Sequence, residues 1–132
     1  MATDRKEPMN WSATGAFLLA LGVVLGAFGA HQLKDRLNAY SMGLWEKAVF
    51  YHFIHALGLL MVALLPRTGT FAQAAAARVC LLLAVGIVIF SGSLYALALT
   101  RQPYLGAITP IGGVSMIAGW LLLTWYLMAP KI

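Results

Sequence analysis

The chain has 132 residues, of which 61% are hydrophobic and 10% charged, against about 45–50% apolar and about 25% charged in a typical soluble domain, so water is excluded as its principal solvent. The formal net charge is +5, but the Lys and Arg residues are scattered through connecting segments rather than gathered into a basic stripe. That argues against a nucleic-acid partner and for anionic lipid headgroups.

A bilayer core about 30 Å thick takes roughly 20 apolar residues per helix, so this length accommodates four or five spans in one domain, residues 1–132. Residues 1–10 are polar, and residues 11–30 contain no charge, which predicts the first span. This apolar stretch is longer than the roughly 7–15 residues of a secretory signal, so the first helix is expected to stay in the protein. Gly15, Gly22, Gly26 and Gly29 fall within about 40° of one line at about 100° per residue. Membrane helices associate by close backbone approach at small residues, so this line is an expected contact face, with Gly22 and Gly26 at its centre.

Residues 31–44 carry Lys34, Asp35 and Arg36, with Leu33 and Leu37 at helical spacing, a pattern that predicts a short helix lying at the membrane interface. The second span is expected over 45–65, ended by Pro66 and Arg67. Its helical wheel gathers Ala48, His52, His55, Ala56, Leu59 and Ala63 on one side, with Gly58 at the edge. Both imidazoles are expected to point into the bundle, because a polar side chain facing hydrocarbon has no partner.

The third span is expected over 74–99, with Arg78 near enough to its start to snorkel to the headgroups. Cys80, the one cysteine, can form no internal disulfide. Ser91, Ser93 and Tyr95 are this helix's candidates for a buried polar cluster with His52 and His55. Arg101 and Pro103 mark a turn, and Thr109-Pro110 predicts the start of a fourth span over 109–128, closed by Pro130 and Lys131. Gly112, Gly113 and Gly119 are expected helix-packing positions, and Ser115 beside them is the fourth helix's polar candidate. In the basic loop residues, Arg5, Lys6, Arg67, Arg78 and Lys131 face one side while Lys34, Arg36, Lys47 and Arg101 face the other. The slight excess favours both termini in the cytoplasm, with insertion in both orientations as the alternative.

An intramembrane ionisable group is first a functional hypothesis, which singles out His52 and His55. The plainer reading is that neutral imidazoles fix helix packing by hydrogen bonds, His55 to a hydroxyl or carbonyl of the third or fourth helix. Metal or haem ligation is disfavoured because the pair supplies two ligands from one helix where zinc takes three or four, and the remainder would have to come from His31, Cys80 or Glu46. His31, Glu46 and Arg101 are expected at the membrane interface, Glu46 as a partner of Arg36 or Arg101 or as a proton acceptor at a pore mouth. No phosphate-binding glycine loop, zinc-protease helix or nucleophile elbow is present.

The motifs Gly26-Ala27-Phe28-Gly29-Ala30-His31 with Leu33-Lys34, Trp45-Glu46-Lys47-Ala48-Val49 with Tyr51, and His55-Ala56-Leu57 resemble those of a family of small uncharacterised bacterial inner-membrane proteins typified by YgdD and YwdK. Phe90-Ser91-Gly92-Ser93-Leu94-Tyr95, Leu105-Gly106, Thr109-Pro110-Ile111-Gly112-Gly113 and Gly119-Trp120 extend the resemblance, which spans about residues 12–127. It implies a four-helix inner-membrane protein, with relatives among mitochondrial membrane proteins, and an intact first helix. It supplies no substrate, cofactor or catalytic residue. This chain departs from the family pattern at His52, where the resemblance implies glutamine.

The sequence therefore predicts an all-α membrane four-helix bundle with no cofactor and no metal. A structural or accessory membrane component is the leading reading, non-enzymatic, with membrane lipids around it and a homo-oligomeric or membrane-protein partner. A small transporter or channel with a polar path near His52 and His55 is the alternative, and a haem or quinone redox protein is the third.

Overall fold

A computed structural model describes residues 9–129. Among these residues lie four helices, α1 (Trp11–Leu33), α2 (Ala39–Thr68), α3 (Gln73–Thr100) and α4 (Tyr104–Met128). They are 23, 30, 28 and 25 residues long, each long and apolar enough to cross a membrane. No strand occurs among the described residues. The all-α architecture with four spans is as expected, and the differences lie at the ends of the helices.

The segment expected to form a separate interfacial helix is instead divided between its neighbours. Residues 31–33 complete α1, residues 34–38 make the turn, and α2 begins at Ala39. The reason is Asn38, whose side-chain oxygen accepts a hydrogen bond from Ser41 N at 2.8 Å and so caps α2 six residues before the expected start of that span. Asn10 does the same for α1 by accepting from Ala13 N at 3.1 Å. Likewise α4 starts at Tyr104, after Pro103, rather than at Thr109-Pro110, and Pro110 lies inside the helix. An interior proline is tolerated in a membrane helix where neighbouring helices and hydroxyls satisfy the freed backbone groups. Pro130, Lys131, Arg5 and Lys6, which figured in the expected helix end and charge balance, lie outside the described residues.

α2 and α3 form the inner pair, α1 packs on α2, and α4 packs on α3. Within an apolar 18-residue stretch of each helix the buried share follows this order, 39% and 44% for α2 and α3 against 17% and 22% for α1 and α4. Leu59, Val62, Val79, Cys80 and Leu83 fill the core at one end, Leu33, Trp45 and Ala98 at the other, with Ala56, Ile87 and Met116 between.

A π-helical turn over Ile87–Ser91 sets the register of α3. Val79, Leu83, Ile87 and Ser91 are all buried, yet in an ideal helix each step of four residues rotates a side chain by about 40° around the axis. The wider turn absorbs that drift and keeps Ser91 on the face that meets α2. A second π turn, Gly29–Leu33, ends α1.

Candidate functional site

His52 sits in the middle of α2 and is 2% exposed. Its Nε2 lies 2.7 Å from the Leu18 carbonyl of α1, and its Nδ1 lies 2.9 Å from the Tyr95 hydroxyl of α3. A carbonyl can only accept, so Nε2 carries the hydrogen, and a neutral ring then accepts at Nδ1 from the Tyr95 O–H. One side chain thus ties three helices, and both ring nitrogens are committed.

His55 is 7% exposed, but its partner is not on another helix. Nδ1 donates to the Tyr51 carbonyl of its own helix at 2.8 Å, and the ring lies parallel to that of Tyr51 and near Trp120. The expected bond to the third or fourth helix is therefore corrected. The side chain curls back along α2 to the carbonyl four residues earlier. The remaining members of the expected cluster are separated rather than gathered. Ser91 Oγ donates to the Ala48 carbonyl at 2.8 Å, whereas Ser93 Oγ donates to the Phe90 carbonyl at 3.0 Å and meets Thr109 Oγ1 of α4 at 2.6 Å. Among the described residues no buried side-chain nitrogen or oxygen lacks a hydrogen-bond partner.

A rule links these bonds. Among the described residues, side chains donate to the backbone of another helix at Leu18 (from His52), Leu25 (from Trp45, 3.0 Å), Ala48 (from Ser91), Leu59 (from Cys80, 3.5 Å) and Leu82 (from Ser115, 2.7 Å). The residue four positions after each acceptor is Gly22, Gly29, His52, Ala63 and Gly86 in turn. A helical side chain covers the turn on the N-terminal side of its own Cα, so a glycine at that position uncovers the carbonyl four residues earlier. In four of the five bonds the covering residue is Gly or Ala. The small residues therefore admit hydrogen bonds as well as close packing. Trp45, Thr109 and Gly86 enter the network only through the structure, and Gly29, expected as part of a packing face, also uncovers the Leu25 carbonyl; for Trp45 and Ser115 the signal was a glycine four residues beyond a carbonyl on the facing helix.

The packing glycines differ in closeness. A Cβ on Gly58 would strike Trp120, and one on Gly112 would strike the Phe90 backbone. On Gly22 it would meet the Phe53 ring at 3.1 Å, on Gly119 Leu83 at 3.0 Å, on Gly26 Val49 at 3.4 Å and on Gly113 Phe90 at 3.7 Å. His31, Glu46 and Arg101 are exposed. Arg101 ends α3 in the left-handed conformation, φ 58°, its N–H donating to the Leu97 carbonyl at 2.8 Å. Cys80 is buried and free. Among the described residues no group of three or more His, Cys, Asp or Glu could hold a metal ion.

Residues 25–113 match a family described as "Protein of unknown function (DUF423)". The chain is 51% identical over 109 residues to a "UPF0382 membrane protein" of Staphylococcus epidermidis, covering 83% of this chain and 87% of that one. It is 44% identical over 109 residues to the "UPF0382 membrane protein YwdK" of Bacillus subtilis, covering 83% and 88%. No solved structure matches.

Proposed function

The chain belongs to the DUF423 family, whose named relatives are membrane proteins, and on that premise we propose that it is a non-enzymatic structural or accessory component of the bacterial inner (plasma) membrane. The observation that carries this reading is the pairing of both His52 nitrogens, with Leu18 O at 2.7 Å and Tyr95 OH at 2.9 Å. A proton carrier or metal ligand in the bilayer needs a nitrogen that can exchange its partner, whereas this ring is spent on holding α1, α2 and α3 together. Its outer helices α1 and α4 leave broad apolar faces for lipid, a second copy or another membrane protein.

Reconstitution into liposomes holding a pH-sensitive dye tests the reading. Accessory function predicts proton and cation leakage equal to that of empty liposomes and a colourless protein without a Soret band. Flux that disappears in His52→Gln would overturn it in favour of a transporter.

We also place both termini in the cytoplasm. Arg67 and Arg78 stand at the end of the bundle where α1 begins, with Arg5, Lys6 and Lys131 next to the helix ends there in sequence. A carboxy-terminal fusion to alkaline phosphatase is expected to be inactive, and the same fusion to a green fluorescent protein to be bright; the reverse pair of results would invert the topology.

A further inference from the structure

α1 and α3 each pack on α2, and at the end of the bundle where both begin they border a cleft of about 420 Å³, within the roughly 300–1,000 Å³ range of ligand sites. Asn10, Arg67 and Gln73 stand at its mouth, and Ala63, Ala77 and Cys80 line its depth. We propose that this cleft binds one anionic glycerophospholipid, with the phosphodiester at Arg67 and the first part of an acyl chain over the small residues below.

Charge selects the headgroup. Among the described residues the mouth holds a guanidinium and two side-chain amides and no carboxylate. The acidic side chains among the described residues, Asp35 and Glu46, lie toward the opposite end, where α1 finishes and α2 begins. Asn10 uses its Oδ1 to accept from Ser12 Oγ at 2.7 Å and from Ala13 N at 3.1 Å, which leaves its NH₂ as a donor. Guanidinium and amide N–H groups together fit phosphate oxygens. A zwitterionic lipid would bring its own ammonium beside Arg67, so a headgroup with net negative charge fits better.

Depth and shape select a lipid over a free phosphate. Trp11 opens α1 and Pro66 and Arg67 close α2 at this level, the position of headgroups when the helices span a bilayer. Below it the alanines give room for methylene groups, and the Cys80 thiol is already committed to the Leu59 carbonyl at 3.5 Å. The half-buried Ala63 and Ala77 methyl groups are the apolar surface offered to a chain.

Native mass spectrometry of the purified protein, titrated with phosphatidylglycerol in a neutral detergent, tests the proposal. One lipid should be retained saturably, and more tightly than phosphatidylcholine with the same acyl chains. Arg67→Gln, at an exposed position that spares the fold, should weaken retention about tenfold, the loss expected for one charge-assisted hydrogen bond. Ala77→Phe should abolish retention by filling the cleft, while Arg101→Gln at the far end should leave it unchanged. Equal retention of phosphatidylcholine, displacement of the lipid by glycerol phosphate at matching concentration, or wild-type retention in both Arg67→Gln and Ala77→Phe would each overturn it.

Discussion

His52 and Tyr95 meet side chain to side chain across α2 and α3, Nδ1 to hydroxyl at 2.9 Å, while the opposite nitrogen of the same ring holds the Leu18 carbonyl of α1 at 2.7 Å. His55, three residues on, uses the other tautomer, with its hydrogen on Nδ1 and directed at Tyr51 O. Two neighbouring histidines on one helix thus do different work, one between helices and one within its own.

Replacement of His52 separates geometry from titration. Glutamine can donate to Leu18 O and accept from Tyr95 through one amide, so His52→Gln should fold with a loss under about 1 kcal/mol. His52→Leu removes both bonds and should cost about 1–3 kcal/mol, since membrane hydrogen bonds average roughly 0.6 and reach about 1.7 kcal/mol each. A double-mutant cycle with Tyr95→Phe, read by unfolding in detergent, should show the two side chains coupled; additive losses would deny the bond.

The glycines of α1 should rank by what a methyl group would meet. Gly29→Ala drives into the Trp45 indole and disturbs the bond from Trp45 to Leu25 O, for an expected overpacking loss of about 1–3 kcal/mol. Gly22→Ala presses on the Phe53 ring at 3.1 Å, and Gly26→Ala reaches only ordinary contact with Val49 at 3.4 Å. Thermal midpoints should fall most for Gly29, less for Gly22 and least for Gly26. Equal effects at all three would contradict the packing described.

The π turn of α3 makes a prediction about length. Val88 is exposed within that turn, and deleting it should convert the wide turn into an ordinary one while keeping the buried faces before and after it in line. Deleting Leu81, exposed in a regular turn, rotates everything beyond it by about 100° and carries Ser91 and Tyr95 off the α2 face. Size-exclusion profiles should show a folded protein for the first deletion and aggregation for the second.

Ser91→Ala removes the bond between the middle of α3 and Ala48 O. The expected loss is about 0.6 kcal/mol and at most about 1.7 kcal/mol. Tryptophan fluorescence during denaturation would register it, and a loss several times larger would show that Ser91 also supports the π turn.

Much of this was legible beforehand because a bilayer allows few solutions. Span length and proline positions sufficed for four helices, and the wheel of α2 placed His52, His55 and Ala56 on the buried side, as found. The helix ends were less legible because capping decides them. Asn38 starts α2 early, and Pro103 starts α4 in place of the equally eligible Pro110. The partner of His55 could not be read at all, because an imidazole on a helix can reach either a neighbour or its own carbonyl four residues back, and the choice depends on a rotamer. The register of Ser91 depends on a π turn that leaves no mark in hydrophobic periodicity.

The three-way placement of His52 also bears on the order in which the chain is made. Synthesis from the amino terminus delivers α1 to the bilayer first, so the Leu18 carbonyl is in place when α2 follows and its imidazole meets a partner on entry. Insertion of the two as a hairpin spares His52 a passage through hydrocarbon with both nitrogens bare. The second nitrogen waits for Tyr95, which emerges more than forty residues later. In that order, docking of α3 and α4 onto α1 and α2 is the step that closes the tie at His52.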